Sequence, residues 1–235
     1  MIKARLARIL RLVERAGGFI NLSSITMSLS VRIGILSESF DDPDWENEVR
    51  GDFAIINRVL LQAGLPEHSE PEEWPNIQNQ CRLGDFRYSA IHSLRRIFAH
   101  AVAGIVPTPL LENSSNPAGD PVLLQVASQK HHLLWHSDAE GFYVPVDFQE
   151  VLEDDDLPGR FLGSSQRLLD ELRRVAPALG IAMKGTILPK SEAERLNQIF
   201  DQEPSHPFEE EIAVWFYLYE NARLSVRHSL IIKFC

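Results

Sequence analysis

The spacing of apolar side chains along this chain predicts more helix than strand. Apolar residues recur every three or four positions, the pattern of amphipathic helices, over residues 44–62, 88–103, 165–179, 191–200 and 207–228. Shorter β-rich runs predict strands at 28–36, 122–126, 133–136, 142–146 and 230–234. Because these strands do not alternate regularly with the helices, the pattern predicts an α+β fold. We expect a helix-rich single domain around a small mixed or antiparallel sheet, with a long C-terminal helix followed by a final strand.

The first 26 residues differ in composition from the rest of the chain. Residues 1–26 carry five basic side chains against Glu14 alone, and their apolar positions form one helical stripe, as in an organellar transit peptide. We therefore predict a basic N-terminal extension, which is an upstream start, a targeting segment or an ordinary helix of the fold. Residues 27–235 are predicted to form a single α+β domain with a loop near 110–121. We expect a chain beginning at Met27 to fold and to keep its function.

Net charge separates the same two parts. The whole chain has a formal net charge of −10, and because residues 1–26 contribute +4, residues 27–235 carry −14. A body this acidic repels the phosphates of nucleic acid, so the charge predicts no nucleic-acid binding. It suits a basic protein partner, or high solubility alone. No apolar run is long enough to span a membrane, and two cysteines fit a reducing compartment. We therefore expect no membrane partner and a cytoplasmic location.

Two acidic runs are the candidates for partner binding. The first lies at the start of the helix predicted at 44–62, and the second lies in the proline-rich loop that follows this helix. We expect both runs to be exposed. The candidate side chains are Asp41, Asp42 and Asp44 in the first run and Glu70, Glu72 and Glu73 in the second.

Histidine and carboxylate side chains cluster in residues 132–148, HLLWHSDAEGFYVPVDF. As a strand, residues 133–136 would alternate their side chains between two faces. The stretch SDAEG then forms the turn, and residues 142–146 form the return strand. We favour this β-hairpin, because it gives each residue of the stretch a structural role.

A metal site is the alternative interpretation of the same cluster. His132 and His136, with Asp138 or Glu140 as a third ligand, would suit zinc or iron. On a straight strand, however, positions 132 and 136 lie about 13 Å apart, which is too far for one ion. The sequence indicates no further ligand. We expect no cofactor, with zinc or iron as the alternative, and metal binding by these four residues stays open.

Basic side chains follow one face of the helix predicted at 88–103. His92, Arg95, Arg96 and His100 lie away from the apolar stripe of this helix. They form either a surface for an anion or acidic partner, or a face that is solvated or neutralised by the protein's own carboxylates. We favour the second interpretation, because runs of charge on a helix are usually solvated.

The stretch LLWHSDAEG, followed by a leucine-rich helix, resembles uncharacterised bacterial proteins that carry an L-x-H-S-D-x-x-G segment. Those proteins often have a cysteine where this chain has Ala139, so a thiol role does not transfer. Some small acidic proteins of this kind are regarded as toxin-immunity proteins or other binding proteins. The resemblance therefore implies a binding role and no established activity.

The sequence favours a binding protein over an enzyme. It contains no G-x-S-x-G motif, and the adjacent residues His136, Ser137 and Asp138 would point to opposite faces of a strand. We predict a non-enzymatic acidic domain that binds another protein, with immunity proteins as one example, and leave enzyme activity undecided. The alternative is a metal-dependent hydrolase or another enzyme that uses the segment from His132 to Glu140.

Overall fold

The computed structural model describes residues 28–39, 42–73, 75–87, 89–110, 116–201 and 206–234. These residues form eight α-helices, which are α1 (Ile35–Ser39), α2 (Pro43–Gln62), α3 (Ala90–Ala103), α4 (Pro121–Val126), α5 (His132–Trp135), α6 (Ser165–Val175), α7 (Lys190–Ile199) and α8 (Glu209–His228). They also form seven strands, which are β1 (Ser28–Leu29), β2 (Val31–Ile33), β3 (Phe86–Arg87), β4 (Gly141–Val144), β5 (Leu152–Glu153), β6 (Phe161–Ser164) and β7 (Ile232–Phe234). The extension predicted over 1–26 lies outside the described residues, and its separation from the domain stays a prediction.

Five strands form a central mixed sheet in the order β2-β7-β4-β6-β5. Strands β4 and β6 are parallel, and the other neighbours are antiparallel. Successive residues of a strand point to opposite faces, so Phe142 and Val144 face one side of the sheet and Tyr143 faces the other. Gly163 lies opposite Tyr143, and a Cβ atom there would clash with the tyrosine ring. The α+β prediction is confirmed, and the sheet is mixed.

Helices α3, α6, α7 and α8, which we call the helical layer, supply the larger hydrophobic core, on the sheet face that carries Tyr143. The centre of this layer is Trp215 on α8, which is fully buried and donates its indole N–H to the carbonyl of Leu172 on α6 over 2.7 Å. Burial of large apolar side chains on four helices is the main stabilising contribution here.

The opposite sheet face is covered by α1, α2 and the connection from β4 to β6. Leu60 of α2 and Leu157 of the connection belong to one buried cluster with Phe142 and Val144 of β4. This second core is smaller than the first. It nevertheless leaves both faces of the sheet buried, because each face has its own apolar cover.

The two longest helices follow the predicted boundaries closely. Helix α2 ends at Gln62 as predicted, and its N-cap is Asp42, because the Asp42 carboxylate accepts hydrogen bonds from the second and third residues that follow it. Along α8 most apolar residues are buried, and Val226 in its last turn is 37 % exposed. None of the helices in the described ranges combines the length and the apolar character that a membrane span requires.

Two predicted strands are helices instead. Residues 122–126 form α4, because Asp120 caps its first turn and Pro121 occupies the first helical position. Residues 132–135 form α5, because both carboxylate oxygens of Glu171, on α6, accept the N–H groups of His132 and Leu133 over 2.9 and 2.7 Å. The predicted hairpin is therefore wrong, although its return strand exists as β4. A cap that comes from 39 residues away gives no local signal in the sequence.

The basic face of α3 is buried rather than solvated. Arg95 and Arg96 are 5 % and 3 % exposed, respectively. Arg95 pairs with the carboxylate of Asp138, so at this position the protein's own carboxylate neutralises the charge. Of the two forms of the favoured interpretation, solvation is wrong, because α4 and α5 cover this face, and neutralisation by the protein's own carboxylates holds for Arg95.

A buried carboxylate joins the second layer to the sheet. Glu70, which is 6 % exposed, accepts the backbone N–H of Leu36 in α1 over 2.7 Å and that of Ile231 beside β7 over 2.6 Å. Hydrogen bonds from backbone N–H groups to a buried carboxylate are stronger than those to a neutral acceptor. Glu70 therefore fixes the chain after α2 against both α1 and the sheet.

We expect the substitution Glu70→Gln to lower the free energy of unfolding by about 3 kcal/mol, because it removes a charged acceptor and turns an amide N–H₂ toward backbone donors. Glu72→Gln, at an exposed position two residues away, is the matched control and should change stability by less than about 0.5 kcal/mol. Urea unfolding followed by circular dichroism measures both. If the two variants were equally stable, the role of Glu70 in connecting α1 and the sheet would be contradicted.

Candidate functional site

His132 and His136 are buried, and backbone groups hold both rings. Nδ1 of His132 accepts the N–H of Ser164 over 2.9 Å, so its proton is on Nε2, which lies 3.3 Å from the carbonyl oxygen of Gln149. The ring of His136 stacks on Tyr143 at 4.1 Å, and its Nε2 lies 3.1 Å from the carbonyl oxygen of Phe142. Burial lowers the pKa of both histidines, that of His136 to about 4.

The two carboxylates of the same segment lie in different surroundings. Asp138 pairs with Arg95 and lies 3.3 Å from Nε2 of His92, both on α3. Glu140 is exposed at the surface. Among the described residues, no group of three or more His, Cys, Asp or Glu side chains is arranged to hold a metal ion. The four predicted ligands therefore do not converge, and zinc or iron binding is a prediction without a preformed site.

Arg95 explains why this segment is rich in polar residues. Its Nε donates to the carbonyl of Leu133 over 2.7 Å and its Nη2 to the carbonyl of His136 over 2.6 Å. The same guanidinium binds Asp138. One arginine thus satisfies carbonyl groups at the end of α5, where a helix leaves its acceptors unpaired. The polar residues of the segment hold α5 in place.

The acidic candidates for partner binding divide into two kinds. Asp42, Asp44, Glu72 and Glu73 are exposed, as predicted for surface runs. Glu70 is buried against the N–H groups of Leu36 and Ile231, so it is unavailable to a partner. Its inclusion among the exposed candidates is wrong. Asp41 lies outside the described residues.

The acidic excess of the protein is confined to two segments of the sequence. Residues 42–73 contain nine acidic and two basic side chains, and residues 138–160 contain eight acidic and one basic, so each segment has a net charge of −7. The remainder of residues 27–235 is balanced, with fifteen side chains of each sign. The two segments together carry the whole charge of −14.

These two segments lie side by side in the fold. Arg58 of α2 reaches across to the second segment and binds both carboxylate oxygens of Asp154, at 2.8 and 2.9 Å, and that of Asp156 at 2.9 Å. Both segments also contribute to the apolar cluster on the second sheet face. We call residues 42–73 and 138–160 together the acidic layer.

Several carboxylates of the acidic layer are free of ion pairs. Within the described ranges, the exposed carboxylates without an ion-pair partner include Asp44, Glu67, Glu72, Glu73, Glu140 and Glu150. Others, such as Asp155 beside Arg160, are paired at the surface, where an ion pair is weak. The layer therefore presents a dense array of negative groups to the solvent.

Most of this surface is not apparent from single charged runs in the sequence. Asp154, Asp155 and Asp156 precede Pro158 in an acidic run that is typical of a solvated loop, and Glu150 and Arg58 give no signal by themselves. A net-charge count over windows of about 25 residues, close to the shorter of the two segments in length, would have separated both segments from the balanced remainder. Their packing against the same sheet face could not be found in that way.

The fold and this surface define a class of α+β protein whose charge excess lies in two adjoining segments, of which Asp138 and Asp147 pair with Arg95 and Arg167 of the helical layer. The chain belongs to a family described as "Putative DNA-mimic protein", whose model matches residues 27–234. No curated protein matches the chain, and no solved structure matches it.

The family assignment corrects the expected function and partners. An immunity-type role with an unspecified basic partner is wrong, and so is the alternative of a metal-dependent hydrolase, because the family is described by imitation of DNA. Protein binding itself is compatible with this description. The acidic charge predicted no binding of nucleic acid, and it gave no hint of a resemblance to nucleic acid. The same negative charge that repels phosphate can resemble it.

We expect the protein to become less stable as the pH is lowered, because its histidines are buried. The pKa of His136 is lowered from 6.5 to about 4 by burial, so the folded state binds this proton less readily than the unfolded chain does. The contribution of neutral His136 to the free energy of unfolding is complete above about pH 6.5 and is lost as the pH falls toward 4. His136→Gln should reduce the loss of unfolding free energy between pH 7 and 5 by about 2 kcal/mol.

Urea unfolding at pH 7, 6 and 5 measures this slope. Val144→Ala is the control, because it removes buried apolar atoms without removing a titrating group, and it should lower stability equally at each pH. If the unfolding free energy changes with pH equally in His136→Gln and in the wild type, His136 is not the cause of the pH dependence.

Proposed function

We propose that this protein is a DNA mimic whose acidic layer occupies the DNA-binding site of a DNA-binding protein. The observation that supports this most strongly is the confinement of the net charge of −14 to residues 42–73 and 138–160, in a chain that belongs to a DNA-mimic family. If acidity served solubility alone, it would not need to be concentrated on one layer.

The dimensions of the acidic layer agree with this proposal. Helix α2 has 20 residues, so it is about 30 Å long, which is close to one turn of duplex DNA. Along its first half, Asp44 and Glu48 lie four residues apart, a rise of about 6 Å. Along its second half, Arg58 holds Asp154 and Asp156 beside the helix. Carboxylates thus follow the helix for most of its length, as phosphates follow a strand of DNA.

Internal cations hold this array in a fixed shape. The carboxylate of Asp52 is buried and lies 2.7 Å from Nζ of Lys233 in β7, which ties the middle of α2 to the sheet. Arg58 plays the corresponding role for the loop at 154–156. A rigid array needs less ordering on binding than a flexible acidic tail does, so it competes better with DNA.

A competition assay tests the proposal. A labelled duplex of about 20 base pairs is bound in turn to purified DNA-binding proteins, including a DNA-bending protein and a helix-turn-helix repressor that approach the duplex differently. We expect the wild-type protein to displace the duplex from at least one of them, and we expect displacement to weaken between 50 and 200 mM salt, because charge contacts are screened. Fluorescence anisotropy measures the displacement.

Two charge-matched triple variants locate the binding surface. Glu72→Gln, Glu73→Gln and Glu150→Gln together remove three carboxylates of the acidic layer that have no ion pair among the described residues, and should weaken competition at least tenfold. Asp170→Asn, Glu194→Gln and Asp201→Asn remove the same charge from exposed positions outside the layer, and should leave competition nearly unchanged.

Three results would refute the proposal. They are an equal loss of competition in both triple variants, a ternary complex in which the partner holds this protein and the duplex together, and no displacement from any protein of the panel. The first would mean that net charge acts without a defined surface. The second would mean that the protein binds outside the DNA site.

A further inference from the structure

A cavity of about 670 Å³ is lined by α3 and by residues 108–110 and 116–121, none of which belongs to the acidic layer. This volume is within the range of small-molecule sites, about 300 to 1,000 Å³. Its polar lining comes from Arg96, His100, Thr108, Asn116 and Asp120. Proline and leucine side chains supply its apolar walls.

Arg96 is a buried cation without an ion-pair partner among the described residues. The side chain is part of the cavity wall, and the residue is 3 % exposed. Nη2 donates to the carbonyl of Thr108, whereas Nε and Nη1 have no hydrogen-bond partner in the part of the chain that the structure describes. A buried charge without a partner is among the costliest arrangements in a folded protein.

The neighbouring carboxylates do not neutralise Arg96. Asp120 lies 3.1 Å from Nε2 of His100 and accepts the N–H groups of Val122 and Leu123 as the cap of α4, so its lone pairs are engaged. Glu211 makes no ion pair or hydrogen bond with Arg96 among the described residues, and burial raises the pKa of Glu211. His100 adds a further unpartnered nitrogen, because its Nδ1 has no described hydrogen-bond partner.

We propose that this cavity binds a small organic molecule through a carboxylate or phosphate group that pairs with Arg96. An oxyanion is the chemical complement of a guanidinium with free N–H groups, and this pairing is strongest where water is excluded. The anion reaches Arg96 from the cavity and shares or replaces the carbonyl contact of Thr108. The apolar walls accommodate the rest of the molecule, and Asp120 disfavours a second anionic group at the His100 end.

Anion binding to the full chain tests this proposal. Inorganic phosphate and succinate are titrated separately against the protein, and chloride at equal ionic strength is the reference. We expect at least one of the two probes to raise the melting temperature in a saturable manner, and calorimetry to give a finite Kd. A response to phosphate alone would assign the phosphate class, and a response to succinate alone would assign the carboxylate class. No saturable response to either probe beyond that of chloride would overturn the proposal.

The variant Arg96→Met separates a binding role from a structural one. We expect it to weaken binding of the effective probe at least tenfold and to melt no lower than the wild type without a probe, because a buried unpaired charge is removed. Arg227→Met, at an exposed position, should bind the probe as the wild type does. Unchanged probe binding in Arg96→Met would refute the role of Arg96.

A second variant tests the cavity without altering Arg96. Gly119 lines the cavity, and a Cβ atom there meets nothing within 4 Å, so Gly119→Trp places a large side chain at this position. We expect it to abolish probe binding, whereas Gly51→Trp, an equally open glycine on α2, should preserve it. If Gly119→Trp binds the probe with wild-type affinity, the cavity is not the site.

Discussion

The buried carboxylate of Glu70 determines where the acidic layer lies. It accepts N–H groups from α1 and from the residue before β7, and the chain that carries it follows α2 directly. Since the negative charge is held by backbone donors, the carboxylate can remain in the interior at moderate cost. The joint orients α2, and the Asp52–Lys233 pair then ties the same helix to the sheet. The position of the outer carboxylates follows from these two buried ones.

Concentrating charge on one layer works against folding, and the architecture offsets this cost. Carboxylates that lie close together repel each other and favour an expanded chain. Here the apolar cluster beneath α2 and the β4–β6 connection stabilises the layer from inside, and Arg58 lowers the pKa of Asp154 by hydrogen bonding. The balanced helical layer has no comparable repulsion to overcome. A protein built in this way can present many unpaired carboxylates while its larger core remains unaffected.

The sequence predicted those elements whose causes are local. Helices α2 and α8 carry their own apolar stripe, and the final strand β7 its own β-rich run, so fold class and most boundaries were predictable. Helix α5 was not, because Glu171 and Arg95 stabilise its two ends from other helices. The burial of Glu70 was hidden for the same reason: its acceptor role depends on α1 and Ile231. Among the acidic candidates, sequence could identify the runs but not the one member that points inward.

Arg95 and Arg96 show how one buried arginine can be structural and its neighbour not. Both lie on α3 and both are nearly inaccessible, yet Arg95 binds two carbonyl oxygens and a carboxylate. Arg96 binds one carbonyl. The guanidinium of Arg95 is therefore fully hydrogen-bonded, whereas that of the next residue, Arg96, is not. Packing alone does not require an arginine at position 96, because an apolar side chain of similar length would fill the same space without a buried charge. A cation kept beside a cavity at this cost is consistent with a ligand that supplies the missing anion.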